Sequence, residues 1–312
     1  MDLDPGLAAL RPLGGFFLLH TVRPKPGSPP LPTLADAYAY ADTALGTDTD
    51  TDGATHPRPD LGPHPAPDLG PHPAPDSEPH PTPHPHPHPQ PRPHAPHPQN
   101  PLAFRVRKVA AALRAPEPRV AASVAHQGLA ARLWSVTLGC AALYGRVPDL
   151  APRLLRWDPD ASAPDDLWLT GVRPLPGDAA TAAGVVLRDH IAPLTAAVHA
   201  RYRVATGLLW GNAASALAGA GRELDRWARR AGRPDTAERA RVLTAGLLAH
   251  PLLAGTGTLT AVRDGIAFRR RSCCLYYRVP GSGVCGDCCF PRPPAPPRSS
   301  PLTHPSPDAP SG

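Results

Sequence analysis

The 312 residues include 47 prolines and carry a net charge of +6 with histidine neutral. Arginine supplies most of that charge but is scattered, and no basic run is interleaved with aromatic residues, which argues against a nucleic-acid partner. Met1-Asp2-Leu3-Asp4 lacks a basic n-region, and the apolar stretch from Gly14 to Leu19 falls far short of the ~20 residues a membrane span needs. A cytoplasmic protein without stable membrane insertion is expected, and in a reducing compartment clustered cysteines read as a metal site before a disulfide framework.

Residues 1–46 read as an N-terminal folded segment, with Phe16-Phe17-Leu18-Leu19 and a short helix from Leu34 to Leu45. Residues 47–101 read as a disordered linker. An acidic run from Thr47 to Gly53 opens it, and from His56 to Pro98 almost every second residue is proline. Alternating proline removes backbone donors and fixes φ, leaving an extended polyproline-type spacer. Nine of the fifteen histidines sit there. A metal-gathering tract is one reading. The immediate repeat of Asp60–Pro67 as Asp68–Pro75 favours the other, a repeat-expanded linker looping out of a domain whose apolar sequence resumes on both sides.

Beyond it the pattern is mainly helical. Helices are expected over Arg105–Arg114, Val120–Tyr144, Ala179–Ile191, Leu194–Arg203 and Leu208–Ala231, the fourth started by Pro193. Asp235-Thr236-Ala237-Glu238 reads as a capping box opening a helix through Leu248. Asp166–Val172 reads as a strand. Asp264-Gly265 between apolar residues signals a hairpin. The expected fold is α+β and predominantly helical: a body over 102–266, a segment over 267–290 in which a small β-hairpin region carries four cysteines, and a disordered proline-rich tail over 291–312.

Five of the six cysteines lie within that segment: Cys273-Cys274, Cys285, Cys288 and Cys289. Cys285-Gly286-Asp287-Cys288 fits a zinc knuckle, but the adjacent Cys273-Cys274 pair does not. Neighbouring side chains on a strand point to opposite faces, so both reach one centre only if the backbone bends sharply. A two-iron cluster tolerates the pair better than a single zinc ion does. Cys140, in an alanine-rich helix, reads as a buried packing thiol.

The run Arg271-Ser272-Cys273-Cys274-Leu275-Tyr276-Tyr277, with Gly283-Val284-Cys285-Gly286-Asp287-Cys288, resembles the Cys-Cys-x10-Cys-x2-Cys signature of FhuF-type ferric-siderophore reductases. Arg119–Ser123 with Leu129–Ser135 is similar to that family's central helix, and Leu209–Ala216 to a second block. Cys289 and the His/Pro spacer stand outside the family pattern, and the first forty residues match it only loosely. The resemblance implies a [2Fe-2S] cluster held by Cys273, Cys274, Cys285 and Cys288; Cys289 itself reads as a non-ligand neighbour, with a swap for Cys288 as the alternative.

It further implies an oxidoreductase acting in iron homeostasis, a one-electron ferric reductase freeing Fe(II) from a ferric siderophore. No catalytic group beyond the cluster is needed. Arg269, Arg270, Arg271 and Arg278 flank the segment and, with Trp210 and Asn212, are candidates for docking the chelate. Asn212 and Ser215 also read as groups satisfying a buried contact. No dinucleotide-binding loop is present, so the electron donor is expected to be a ferredoxin-like protein or a diffusible reductant. The competing readings are a zinc-stapled helical binding protein without redox activity and an iron–sulfur redox sensor.

Overall fold

A computed structural model describes residues 3–21, 31–39, 100–262, 265–292 and 294. The chain divides into two units, one made of residues 1–45 and 99–312 and the other of 46–98. The second unit, and with it the histidine–proline spacer, lies outside the described residues, as does the tail beyond 294.

The first unit is helical with three small antiparallel sheets, an α+β fold in which helix predominates. Its axis is α4, Pro118–Tyr144, which follows α1 (Leu3–Ala8), α2 (Leu34–Tyr38) and α3 (Pro101–Leu113). A helix apolar on every side belongs in a core. Ala121, Ala122, Ala130, Leu133, Trp134, Leu138, Ala141 and Ala142 are all buried on α4. It ends at Gly145, whose φ of 64° makes a left-handed cap, with its N–H returned to Ala141. The N-terminal segment shares this core through Leu7, Leu10, Phe17, Leu19, Leu34 and Tyr38.

The remaining helices are α5 (Ala179–Ala183), a π-helical stretch over Gly184–Ile191, α6 (Ala192–Tyr202), α7 (Thr206–Arg230) and α8 (Pro234–Leu248). The longest packing seams run along α4 against α7 and α7 against α8. Short strands β1 (Arg146–Pro148) and β4 (Pro174–Pro176) pair, as do β2 (Leu155–Trp157) and β3 (Leu167–Leu169). β5 (Gly257–Val262) and β6 (Gly265–Arg270) form the hairpin that leads into the cysteines. Among the described residues no helix is long and apolar enough to cross a membrane.

Several expectations shift. The helix expected from Arg105 begins at Pro101, because Asn100 accepts a hydrogen bond from the Ala103 amide and proline suits the first turn. The strand expected over 166–172 is confined to Leu167–Leu169. Pro193 lies in the first turn of α6, as expected. α6 runs directly out of the π-helical stretch, whose wider turn accommodates a proline that cannot donate. The capping box at Asp235 is absent: Pro234 takes the first helical position, Arg233 becomes the cap without a side-chain bond, and Asp235 falls inside the first turn. The helix expected over 34–45 ends at Tyr38, capped by a reciprocal Thr33–Asp36 pair, and residues 40–45 are outside the described set.

Two buried histidines give the fold a pH dependence. His190 donates from Nε2 to the Leu150 carbonyl (2.6 Å) and accepts from the Tyr38 hydroxyl at Nδ1 (3.0 Å), which fixes a neutral tautomer. Burial pushes His190 down to about 4 and His126 down to about 3. Both take protons near pH 6.5 once unfolded, so stability is fully present above that pH and is lost as pH falls below it. Acidification from pH 7.5 to 5.5 should cost roughly 1 kcal/mol for each. Urea midpoints measured at both pH values should show a smaller acid loss in His190→Gln than in wild type.

Candidate metal centre

The cysteine segment is held by a strand that alternates. On β6, Ile266, Phe268 and Arg270 point inward while Ala267 and Arg269 are exposed. Past Arg270 the chain lays Ser272 against α7, where Gly211 leaves room: a Cβ there would stand 2.4 Å from Ser272 Oγ. Cys273 and Cys274 follow, and the bend comes one residue later, at Leu275, whose φ of 68° is left-handed. That conformation costs a non-glycine residue about 1 kcal/mol and is kept only where the surroundings enforce it. A 3-10 turn over Tyr276–Arg278 and a turn at Gly281, φ 73°, then return the chain to Cys285. The Ser282 hydroxyl ties this loop by donating to the Tyr276 carbonyl at 2.8 Å.

All five thiols of the segment are free, Cys274 buried and the other four half-buried. Cys274 and Cys285 share a hydrogen bond, which with the Tyr276 amide and the Arg270 charge draws Cys274 down, while the same bond and burial push Cys285 up. Cys273 is pushed up to about 11, chiefly by burial, with Cys274, Cys289 and Cys288 adding to it. Cys289 is pushed up by burial and by Cys288. Each of the two cysteine turns aims an amide at a sulfur. Leu275 N–H donates to Cys273 Sγ at 3.3 Å and Phe290 N–H to Cys288 Sγ at 3.4 Å. Among the described residues no group of three His, Cys, Asp or Glu side chains is arranged to hold a single metal ion. Soft thiolate donors with amides directed at them suit an iron–sulfur cluster, whose potential depends on such bonds.

A polar network clamps this segment to the two central helices. Ser123 of α4 donates to the Cys274 carbonyl at 2.7 Å. Asn212 of α7 donates to the Ser123 carbonyl at 3.0 Å and accepts from Arg270 Nη2 at 2.6 Å. The Arg270 amide donates to the Asp287 carbonyl at 2.9 Å, between Cys285 and Cys288. The Asp287 carboxylate accepts from Ser215 at 2.6 Å and pairs with Arg222 at 2.9 Å.

Arg270 and Asn212 are therefore corrected as docking residues: they are 2 % and 0 % exposed and hold the segment from within. Trp210 is half-buried against the core. Arg269, Arg271 and Arg278 are exposed. Arg269 donates to the Cys289 carbonyl at 3.2 Å, and Arg278 pairs with Glu117 and lies over the Tyr277 ring at 5.8 Å. Sequence reasoning missed the network roles of Ser123, Gln127, Arg222, Arg270 and Asp287. Strand parity with Ile266 and Phe268 marks Arg270 as inward. Nothing in the sequence marks Asp287 as buried.

A mainly helical protein that gathers five thiols at one end and directs amides at their sulfurs has the makings of an iron–sulfur protein. Residues 270–290 match the family model described as the FhuF 2Fe-2S C-terminal domain. No curated protein matches the chain. Residues 270–290 are thus similar to an FhuF-type C-terminal domain, and the cofactor of that segment is a [2Fe-2S] cluster.

Proposed function

We propose that this protein is a cytoplasmic ferric-siderophore reductase with Cys273, Cys274, Cys285 and Cys288 as its cluster ligands. The observation that carries the reading is the matched segment 270–290, with its thiols clamped to α4 and α7 through Ser123, Asn212 and Asp287. When bound, the cluster supplies one electron at a time, the stoichiometry of Fe(III) to Fe(II). Siderophores grip hard Fe(III) through oxygen ligands and hold softer Fe(II) more weakly, so one electron releases the metal with the chelator intact. No proton need move in that step, which agrees with a site built from thiols and structural hydrogen bonds. The exposed Arg269, Arg271 and Arg278 supply positive charge beside the cysteines for an anionic chelate. Cys289 stands as a neighbour outside the ligand set. The electron comes from a ferredoxin-like protein or a diffusible reductant.

The test is a single turnover. Protein reduced and freed of excess reductant is mixed without oxygen with a ferric hydroxamate in the presence of an Fe(II) trap. The expected result is one Fe(II) trapped per electron stored, with the oxidised spectrum restored. A protein that stays reduced in excess chelate would sink the reading.

A further inference from the structure

Arg270 differs from the other buried charges in the company it keeps. Arg132, equally buried, donates to the Asp166 carboxylate at 2.9 Å. Buried Asp225 has Arg229 and Arg241, and buried Asp287 has Arg222. Arg270, 2 % exposed, meets only neutral acceptors among the described residues: Asn212 Oδ1 at 2.6 Å, the Leu208 carbonyl at 3.3 Å and Gln127 Oε1 at 3.5 Å. Its Nε has no partner among the described residues. A guanidinium stays charged in proteins, and a buried charge is costly unless an opposite charge answers it. The nearby Asp287 carboxylate is already taken by Ser215 and Arg222.

What lies close to Arg270 is the thiol group. Its amide is tied to the Asp287 carbonyl between Cys285 and Cys288, and its guanidinium is joined through Asn212 and Ser123 to the Cys274 carbonyl. A [2Fe-2S] cluster on four thiolates is anionic when oxidised and more so when reduced. We propose that the cluster is the counter-ion of Arg270 and that this buried cation raises the potential at which the protein accepts its electron. The pairing is reciprocal. The cluster answers a charge the fold otherwise leaves alone, and a fixed cation in a poorly screening interior stabilises the added electron more than an exposed arginine does. Arg270 is then a positioning and tuning residue, separate from the exposed arginines. The inference rests on the cluster reading but not on the chelate being the substrate.

The test is a redox titration of the intact holoprotein followed by its reduced-state electron paramagnetic resonance signal. Arg270→Gln should lower the one-electron reduction equilibrium about tenfold, a 59 mV fall for a one-electron couple. Arg270→Lys, which keeps the charge, should stay within about threefold of wild type. Gln127→Glu changes no residue of the cysteine segment and gives Arg270 a competing carboxylate, so it should lower the equilibrium as well. A wild-type potential in Gln127→Glu, or in an Arg270→Gln protein with full iron content, would overturn the proposal. Should Arg270→Gln fail to take up iron, the Gln127→Glu potential decides alone. Absence of iron and sulfide from wild type would contradict the cofactor, whereas an unmoved potential contradicts only the role of Arg270.

Discussion

Cys285→Ser should yield a colourless protein whose iron falls from about two atoms per chain to nearly none. Cys285 closes the ten-residue loop that begins at Cys274 and shares a hydrogen bond with that thiol. Serine offers a hard, poorly ionised oxygen where a soft thiolate is required. The helical body should survive, because the core is built on α4, α7 and the N-terminal segment and contains none of the segment's cysteines. Far-ultraviolet circular dichroism should therefore change little while visible absorption and ferric hydroxamate reduction disappear. Cys289→Ser should keep both colour and activity. Retention of iron and full activity by Cys285→Ser would show that the ligand assignment is wrong.

Gly211→Ala should lower stability and loosen the cysteine segment, although helix propensity alone predicts a gain of about 1 kcal/mol for glycine to alanine inside a helix. The added Cβ would stand 2.4 Å from Ser272 Oγ and 3.2 Å from Arg270 Nη2. Ser272 adjoins Cys273, and Arg270 is held by Asn212 at 2.6 Å, so neither yields without moving the segment. Overpacking of this kind costs about 1–3 kcal/mol, which outweighs the propensity gain. The check is a thermal melt together with the rate of iron loss to a chelator. Lower melting and faster loss are expected, and a more stable protein with wild-type iron retention would show that α7 and the segment do not press together here.

These two results bear on what the sequence reveals and what it hides. The cysteine spacing was legible because thiols are scarce and metal chemistry constrains their separation. α4 and α7 were legible from long apolar periodicity, with starts displaced by two residues and ends by at most one. The block Leu209–Ala216 resembled the family without a visible reason. In the structure that block meets the cysteine segment: Gly211 admits Ser272, Asn212 accepts from Arg270, and Ser215 donates to Asp287. Those partners come from 58 to 72 residues away, a separation no local pattern reports. Arg270 was hidden among three consecutive arginines, where composition suggests a solvated surface. Parity along β6 picks out the middle one, but only once the hairpin is placed. The short strands β1, β2 and β4 carry three residues each, with one proline in β1, none in β2 and two in β4, too little pattern to be read.

The most direct measurement is an anaerobic absorption spectrum of the purified full chain before and after dithionite, taken with its iron, sulfide and zinc content. The expected result is visible bands that partly bleach on reduction, about two irons and two acid-labile sulfides per chain, and no stoichiometric zinc. A colourless protein holding one zinc ion would contradict it.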